Sequence, residues 1–427
     1  MPNMYIVQKF GGTSMGSIEK ITNVAQKIIK EIELGSKVVV VASAMSGETN
    51  RMIDLFNQAI GDFHQTQEIL AEYDSMIATG EQTSCAILAV ILTKLGYKSR
   101  SLTGWQLGFE TTGNHSNAII ENIYTEKLID IINSGVTPIV AGFQGIMPQT
   151  QRQSTIGRGG SDTSAIAIAA SLNAKRCDIY TDVDGVYTAD PRIVKNARKL
   201  NYVGHEEMIE MSASGAKVLE ARSVMIAMTH DIDVQVLSSF VSPTEDGKPQ
   251  GTILTNDTNI MERRIITSVT SNKQDIEITV LNLPNEVGVT AKLFEVLAQE
   301  QITVDMIIQS ANDRGNINIT FTVALLDLAK TKTVIDAHKT EIRYSSYNVR
   351  EDVAKVSIIG VGMKVHSGIA YTMFSELAKN HIKPLAISTS EIKISILVEQ
   401  RYEELSVRCL HDVFNLQASI PITKNDA

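Results

Sequence analysis

The sequence predicts an α/β protein: an open, mainly parallel sheet with helices on both faces, followed by two ferredoxin-like βαββαβ domains. Short apolar runs rich in β-branched residues, such as 38–42 and 137–143, alternate with amphipathic helical segments. Loops rich in glycine and hydroxyl residues follow several of these runs. Near the C-terminus the chain repeats itself, with Gly288 matching Gly368 and Phe294 matching Phe374.

Composition limits the class of protein and its partners. A chain of 427 residues is long enough for two or three domains, and 43% hydrophobic with 20% charged residues is typical of a soluble globular protein. The net charge of -9 argues against a nucleic-acid partner and favours a small molecule. We expect a cytoplasmic protein with no membrane partner, because no secretory leader and no apolar run of about 18 residues is evident.

The three cysteines, Cys85, Cys177 and Cys409, are far apart and form no CxxC pair. Neither a disulfide framework nor a structural zinc site is therefore indicated. We expect buried free thiols.

The first loop has the parts of a phosphate site. A short apolar strand leads into residues 8–14, which contain Lys9, Gly11, Gly12 and two hydroxyls. Glycines allow a close approach of the backbone to an anion, and a lysine supplies charge. The alternative is a Gly-Gly turn with a solvated lysine. Neither a P-loop nor a GxGxxG fingerprint is present.

The next segments predict a helix, a strand and a polar loop. Apolar spacing over 17–35 indicates a helix with Ser17 as N-cap and Gly35 as C-cap. Residues 38–42 read as a buried strand, and Ser43 and Thr49 lie in the loop after it, where open α/β sheets bind ligands. An ordinary capped turn is the alternative.

Two later loops combine charge with small residues. Glu81 lies in segment 79–84, directly before an apolar helix over 85–95, where it either contacts a ligand or complements the helix dipole. Segment 157–164 places Arg158 and Asp162 among glycines and hydroxyls before a helix over 165–172. This arrangement suits an anion held by Arg158 and a cation near Asp162, the alternative being a flexible loop.

The strand 178–183 is followed by an acidic loop that runs to residue 192. Calcium is not indicated, because the twelfth position counted from Asp182 is Ile193 and not glutamate. A nucleotide contact is favoured. Helices near 205–213 and 217–228 and a strand over 234–238 complete the alternating unit, and a domain boundary is predicted within 242–259.

The repeated region predicts two small domains of the order strand, helix, strand, strand, helix, with leading strands at 276–281 and 356–359. No nucleophile or metal cluster is evident in either copy, so binding or assembly is the expected role. The predicted domains are 1–245, a linker over 246–262, a first repeat over 263–342 and a second over 343–427.

Taken together, the motifs resemble one family, the aspartate kinases, which have the amino-acid kinase fold and two C-terminal ACT domains. The resemblance spans nearly the whole chain and rests on five ordered motifs, residues 9–14, 41–44, 80–81, 157–163 and 180–192, followed by the repeat. It implies ATP-dependent phosphorylation of the β-carboxylate of L-aspartate to 4-phospho-L-aspartate, the step that opens lysine, threonine, methionine and diaminopimelate synthesis. Mg²⁺ is expected with ATP, without a nameable side-chain ligand.

The resemblance also implies roles for residues. Lys9 would neutralise the transferring phosphoryl group, Arg158 would bind the α-carboxylate of aspartate, and Glu81 and Asp162 would hold its ammonium group. The remaining substrate-binding candidates are Thr49, Gly159, Gly160 and Ser161. The nucleotide-binding candidates, besides Lys9, are Phe10, Gly11, Gly12, Ser43, Thr181, Asp182, Tyr187, Asp190, Arg192 and Lys217.

Regulation by amino acids is implied as well, with lysine, threonine or both as effectors of a homodimer or larger homo-oligomer, with an ACT-only short subunit as in some relatives. The candidate effector pocket comprises Thr303, Val304, Asp305, Gln309, Ile369, Ala370, Ser390 and Glu391. The alternative for Asp305 is a polar residue at a strand end.

Two departures from the family pattern leave the effector open, namely Asn285–Gly288 before the first repeat helix and Lys383–Pro384 in the second repeat. The alternative functions are another amino-acid kinase, such as one acting on glutamate, and a decayed kinase that only senses amino acids. Paired ACT repeats and the context of Glu81 and Arg158 argue against the first. An intact set of Lys9, Arg158 and Asp162 argues against the second.

Overall fold

The computed structural model describes residues 5–63, 65–241, 251–256, 265–312, 315–363 and 366–418. The chain forms two compact units. The N-terminal unit consists of Met1–Val186, Lys199–Ala213 and Lys217–Glu262, and the C-terminal unit of Tyr187–Arg198, Ser214–Ala216 and Arg263–Ala427.

The N-terminal unit alternates strands and helices, as predicted. Its strands are β1 (Tyr5–Phe10), β2 (Lys37–Ala42), β3 (Ser99–Leu102), β4 (Phe109–Thr112), β5 (Ile119–Ile123), β6 (Thr137–Ala141), β7 (Gln144–Met147), β8 (Arg152–Thr155), β9 (Arg176–Thr181), β10 (Tyr202–Val203), β11 (Val234–Ser238) and β12 (Thr252–Leu254). Its helices are α1 (Ile18–Glu33), α2 (Glu48–Ile60), α3 (Gln67–Ile77), α4 (Thr79–Lys94), α5 (Glu126–Asn133), α6 (Gly160–Ser171), α7 (His205–Ala213) and α8 (Ala221–Thr229).

The main sheet of this unit has the strand order β10-β12-β11-β9-β1-β2-β6-β3 and is parallel except where β12 pairs with β11. Strand β1 lies in the middle, hydrogen-bonded to β2 and β9, so its C-terminal end is flanked on both sides. A second sheet, β5-β4-β7-β8, was not predicted from the sequence. Its strands are short, and apolar periodicity is weak in segments of four or five residues.

For helix α1 and strand β2 the sequence predicted the limits of the element closely. Helix α1 begins after Ser17, whose side chain accepts a hydrogen bond from the Lys20 amide, and ends before Gly35 in the left-handed region. Strand β2 is buried over Val38–Ala42, as expected for a strand covered on both faces. Cys85, Cys177 and Cys409 are buried free thiols, as predicted.

Three predicted helix starts were wrong. Helices α4 and α6 begin at Thr79 and Gly160, earlier than expected, because polar and small residues form their first turns. Helix α8 begins at Ala221, so Lys217 lies in the preceding loop. The predicted linker 246–262 contains β12, which belongs to the main sheet; residues 246–250 and 257–262 lie outside the described ranges.

The consecutive helices α3 and α4 form a run, Gln67–Lys94, that is long and apolar enough to cross a membrane by length and composition alone. No run of that length was expected from the sequence. Within the unit, α4 packs against α1, β3 and β6, and Leu88 and Leu92 are fully buried. Packing inside the domain therefore accounts for part of the apolar character of this run.

The C-terminal unit contains both repeats. Its strands are β13 (Ser268–Asn272), β14 (Asp275–Leu283), β15 (Val304–Ala311), β16 (Ile317–Ala324), β17 (Ser346–Arg350), β18 (Val353–Ile359), β19 (Ala386–Thr389) and β20 (Lys393–Glu399). Its helices are α9 (Val289–Gln299), α10 (Leu328–Ala337), α11 (Lys339–Ile342), α12 (Ile369–Lys379) and α13 (Glu403–Val413). Both copies follow the predicted order of elements.

The two sheets of this unit exchange their outer strands relative to the predicted boundary at 342/343. Strand β17 pairs with β14 and completes the first repeat, whose sheet order is β15-β16-β14-β17. Strand β13, which precedes the first repeat in the chain, pairs with β18 and completes the second, β13-β18-β20-β19. A sequence repeat does not reveal this exchange, because pairing depends on which sheet edge each strand reaches.

Candidate active site

Lys9 and Asp162, which are far apart in the sequence, meet at the end of the central strand. Lys9 lies near the C-terminal end of β1 and is only 8% exposed. Its Nζ is 2.5 Å from Oδ1 of Asp162, which lies in the first turn of α6. The structure thus brings the residue predicted to stabilise the phosphoryl group into an ion pair with a residue predicted to bind substrate.

The loop after β1 is closely packed around Lys9. A Cβ on Gly11 would lie 3.4 Å from Lys9 Nζ, and one on Gly12 would lie 3.1 Å from the carbonyl oxygen of Ala44. The Gly11 amide donates a hydrogen bond to the carbonyl of Tyr180, whose ring stacks on Phe10 with centroids 4.7 Å apart. At both positions a larger residue would crowd Lys9 or Ala44, whereas glycine lets the loop pack closely against them.

Glu81 lies in the first turn of α4 with a partly satisfied carboxylate. Its Oε1 accepts a hydrogen bond from the Ala44 amide at 3.0 Å, whereas its buried Oε2 has no hydrogen-bond partner among the described residues. Burial raises the pKa of Glu81 to about 7, and the hydrogen bond from Ala44 only partly opposes that shift. An unsatisfied buried carboxylate is a suitable partner for a cationic group.

The loop that carries Arg158 leads into the N-terminus of α6. Gly157 and Gly159 on either side of Arg158 have φ angles of 78° and 66°, a region that favours glycine. A Cβ on Gly159 would collide with the Glu220 side chain at 2.1 Å. Arg158 itself is exposed, so its guanidinium can reach a ligand at the N-terminus of this twelve-residue helix.

Small residues continue through the first turn of α6. Gly160 and Ser161 are buried there, and Ser161 Oγ would be 2.8 Å from a Cβ on Gly142 at the end of β6. Ser43 donates its amide to the Phe10 carbonyl, and its own carbonyl accepts from Ser84. These contacts place the predicted residues Gly160, Ser161 and Ser43 around the carboxyl ends of β1, β2 and β6.

The predicted nucleotide-binding residues divide between the two units. In the N-terminal unit, the Thr181 hydroxyl donates to Asp182 Oδ1 at 3.1 Å, and Lys217 is exposed in the loop before α8. In the C-terminal unit, Arg192 pairs with Asp190 at 2.6 Å and Tyr187 is half-buried. Thr49 lies in the first turn of α2 and is half-buried.

The predicted effector residue Asp305 has an internal cation as a partner. Its Oδ2 lies 2.9 Å from Nζ of Lys355, which is also 2.9 Å from Asp275. The other candidates lie on β15, on α12 or beside β20. The side-chain oxygen of Gln309 is 3.5 Å from the Thr290 hydroxyl, and Ile369 and Ala370 begin α12. The Ser390 amide donates to the Lys393 carbonyl. The remaining candidates are Thr303, Glu391 and the half-buried Val304.

Sequence reasoning missed a buried carboxylate network behind the Arg158 loop, formed by Asp74, His115 and Thr155. No motif marked Asp74, which is one of three acids in an amphipathic helix. For a metal, no group of three or more His, Cys, Asp or Glu side chains is suitably placed anywhere in the described ranges. The site can therefore offer an anion cradle, one buried lysine and two carboxylates, the parts needed to bind a zwitterion beside a phosphate.

Comparison with known proteins identifies the family to which the chain is similar. The model of the amino acid kinase family matches residues 4–238, and an ACT domain model matches 277–338 and 356–414. An aspartate kinase of Pseudomonas putida is 44% identical over 414 residues, which is 97% of this chain and 98% of the relative. An aspartokinase of Helicobacter pylori (strain J99) is 40% identical over 417 residues, 97% and 100% of the two chains.

Among solved structures, aspartokinase III of E. coli in complex with aspartate and ADP is similar with a TM-score of 0.78 and 24% identity. The similarity covers 96% of this chain and 99% of that one, which supports the fold of both units.

Proposed function

The chain belongs to the amino acid kinase family, among the aspartokinases with C-terminal ACT domains, and from this membership we propose how its residues carry the reaction. The reaction is ATP-dependent phosphorylation of the β-carboxylate of L-aspartate to 4-phospho-L-aspartate. The observation that carries the assignment of residues is the 2.5 Å ion pair between Lys9 and Asp162 at the end of the central strand.

Lys9 stabilises the phosphoryl group during transfer. A carboxylate oxygen of aspartate attacks the γ-phosphorus, the bond from that phosphorus to the β-γ bridging oxygen breaks, and ADP leaves. Negative charge spreads over the transferring oxygens, and a buried ammonium already in position stabilises it without reorganisation. Asp162 holds Lys9 in place, and Gly11 and Gly12 allow the phosphate to approach the backbone closely.

Aspartate is held by groups of opposite charge. Arg158 forms a bidentate contact with its α-carboxylate, assisted by the N-terminus of α6 at Gly159, Gly160 and Ser161. The unsatisfied Oε2 of Glu81 and the carboxylate of Asp162 receive the α-ammonium group, with Thr49 beside the substrate. No general base is required, because a nucleophilic carboxylate with a pKa of about 4 is ionised at neutral pH.

ATP is the phosphoryl donor, and the proposed contacts in the N-terminal unit are Phe10, Ser43, Thr181, Asp182 and Lys217. Mg²⁺ bound to ATP would reduce the negative charge on the phosphate oxygens. Because the described residues offer no cluster of three ligating side chains, phosphate oxygens and water would supply most of the coordination, as is common for Mg²⁺ in kinases.

The C-terminal unit is regulatory. We propose lysine, threonine or both as effectors, a homodimer or larger homo-oligomer, a cytoplasmic location and, as in some relatives, an ACT-only short subunit. An effector ammonium at Asp305 would share that carboxylate with Lys355, so effector binding and the internal ion pair would be coupled.

The reaction is tested by ADP release with aspartate and with glutamate, together with trapping of the acyl phosphate by hydroxylamine. Aspartate should support ADP release and give the β-hydroxamate. Equal or greater turnover with glutamate would point to another amino-acid kinase. No ADP release with either substrate would point to a decayed kinase.

Regulation is tested by steady-state activity with millimolar lysine, threonine and the pair. A coupling of about 1–3 kcal/mol would change aspartate affinity by about 5- to 150-fold. Asp305→Ala should relieve the inhibition, whereas Glu351→Ala, which removes an exposed carboxylate near Lys332, should not. Absence of inhibition in the wild type would contradict the regulatory role. Full inhibition of Asp305→Ala would show that the effector does not bind at Asp305.

A further inference from the structure

The Arg158 loop is supported by a buried carboxylate. Asp74, in the middle of α3, is completely buried. Its Oδ1 accepts from the Thr155 hydroxyl at 2.6 Å, and its Oδ2 lies 2.8 Å from Nδ1 of His115. The Ser116 amide donates to both oxygens, at 3.1 and 3.0 Å. Since a carboxylate only accepts, Nδ1 of His115 carries the proton in this contact.

These donors come from two segments that flank the Arg158 loop. Thr155 ends β8, three residues before Arg158. His115 and Ser116 belong to the turn between β4 and β5, where Ser116 has a φ of 66°, a left-handed conformation that is costly for a residue with a side chain. The hydrogen bonds from this turn to Asp74 offset that cost, so the carboxylate fixes the path of both segments at once.

The two segments also hold each other and the start of the loop. The Ala118 amide donates to the Thr155 carbonyl at 2.9 Å. Arg222 bridges them, with its two terminal nitrogens 3.0 Å from the Ile156 carbonyl and 2.8 Å from the Ala118 carbonyl. At Gly157, a Cβ would lie 2.8 Å from Asn117 Oδ1, so the turn is packed directly against the residue before Arg158.

Arg158 has no comparable support of its own. Its side chain is exposed, and among the described residues no hydrogen bond or ion pair fixes its guanidinium. Its position is therefore set by the backbone on either side, with α6 following it and the end of β8 preceding it. Asp74 contacts the end of β8 directly, through the Thr155 hydroxyl, in addition to the pairing of β8 with β7.

We propose that Asp74 is a positioning residue for substrate binding, holding the turn at Ser116 and the end of β8 so that Arg158 faces the α-carboxylate of aspartate. This inference rests on the function proposed above. It assigns to Asp74 an effect on aspartate binding that is separate from its contribution to stability. A residue that acts only through stability would lower the melting temperature without changing one Michaelis constant selectively.

The first test is Asp74→Asn, which keeps the size of the side chain but removes the charge that all three donors contact. The expected result is a rise of about tenfold or more in the aspartate KM, the order expected when charge-assisted hydrogen bonds are lost. The ATP KM should change by less than about twofold, because the contacts near Lys9 are left intact.

A milder pair of variants keeps the test decisive if Asp74→Asn does not fold. Thr155→Val removes one donor with little change of volume, and Thr155→Ser restores it. The aspartate KM should rise in the first and return near the wild-type value in the second. The matched control is Arg152→Ala, because Arg152 pairs with Glu72 at 2.5 Å and joins the same strand and helix at the surface. The control should leave the aspartate KM unchanged.

The outcomes separate this inference from the proposed function. A wild-type protein that releases no ADP with aspartate overturns the function and the inference with it. An active wild type whose aspartate KM is unchanged in both Asp74→Asn and Thr155→Val overturns the inference alone. A joint rise of the aspartate and ATP constants, or an equal effect of Arg152→Ala, does the same by showing a general loosening of the domain.

Discussion

Two buried lysines, one in each unit, are paired with aspartate in different ways. Lys9 has one carboxylate, Asp162 at 2.5 Å, and lies beside a glycine loop. Lys355, in β18, has two, Asp275 and Asp305, each at 2.9 Å. Their exposed fractions are 8% and 3%, so both charges are largely removed from water.

From this difference we infer that Lys9 can contact a ligand, whereas Lys355 has a structural role. Burial opposes the charge of Lys355, but the attraction of Asp275 and Asp305 outweighs it and raises the pKa of the ammonium group. The same contact lowers the pKa of Asp305 despite its partial burial. Lys9 has one acidic partner among the described residues and lies beside Gly11 and Gly12, and we propose that its charge is available to a phosphate.

The largest expected effect is on stability, from Lys355→Ala. Removing this cation takes the ion-pair partner from the largely buried Asp275 and from the half-exposed Asp305, and breaking a buried ion pair from one side costs about 3–5 kcal/mol. Urea denaturation should show this loss in the transition of the C-terminal unit. The control is Lys332→Ala, which removes an exposed pair at 3.7 Å and should leave the transition in place. An unchanged transition in Lys355→Ala would contradict a structural role for Lys355.

Next in size is the effect of Lys9→Ala on catalysis. We expect kcat with aspartate to fall by about 100-fold or more with little change in melting temperature, because one preorganised charge at a transferring group typically supplies several kcal/mol. Steady-state kinetics and thermal unfolding of the same preparation give both values. The control is Lys27→Ala, which removes a half-buried lysine of α1 that does not pair with Asp162. A kcat equal to that of the wild type would remove Lys9 from the chemistry.

Arg158→Ala should act mainly on substrate binding. An arginine on the non-reacting end of aspartate binds the ground state and the transition state alike, so the aspartate KM should rise by about 10- to 50-fold while kcat changes little. Arg51→Ala, which removes an exposed arginine paired with Glu48 on α2, is the control. If the ATP KM rises instead, Arg158 belongs to the nucleotide side of the site.

The comparison also shows which features the sequence reveals. Residues near one another in the chain, such as Lys9 with Gly11 and Gly12, carry a local pattern, and the structure places them in a closely packed turn at the end of β1. The fold class was confirmed for the same reason, because strand and helix periodicity is local. Contacts such as that of Lys355 with Asp275 join elements that only the tertiary fold brings together. The spacing of residues in the sequence does not predict such contacts.

Physical context decides the remaining cases. Asp74 looks like any acid on an amphipathic helix until the turn at Ser116 and the end of β8 are packed onto it. The exchange of β13 and β17 depends on which sheet edges lie within reach, which a repeat pattern does not encode. Lys217 was placed in a helix because apolar periodicity alone does not fix where α8 begins.

The smallest expected effect is the pH dependence caused by Glu81. It extends the comparison of the two units to their carboxylates. Asp275 and Asp305 have a permanent cation beside them, whereas Glu81 has a buried oxygen without a partner and a pKa raised by burial to about 7. A raised pKa means that the free enzyme takes up a proton at Glu81 as the pH falls through 7. The protonated form cannot pair with the ammonium of aspartate, so a proton and the substrate compete for one carboxylate.

From this competition, kcat/KM for aspartate should fall by about tenfold between pH 8 and pH 6 and level off above about pH 8, since this ratio reports ionisation in the free enzyme. The carboxylates of aspartate itself titrate well below this range, with pKa values of about 4 and lower, so they do not produce the change. Glu81→Gln should lower kcat/KM and flatten the profile, because the amide does not titrate, while Glu68→Gln, a fully exposed acid on α3, should keep the wild-type profile. A wild-type profile that is flat between pH 6 and pH 8, or one that Glu81→Gln leaves unchanged, would assign the ammonium to another acid, with Asp162 the nearest alternative among the residues at the site.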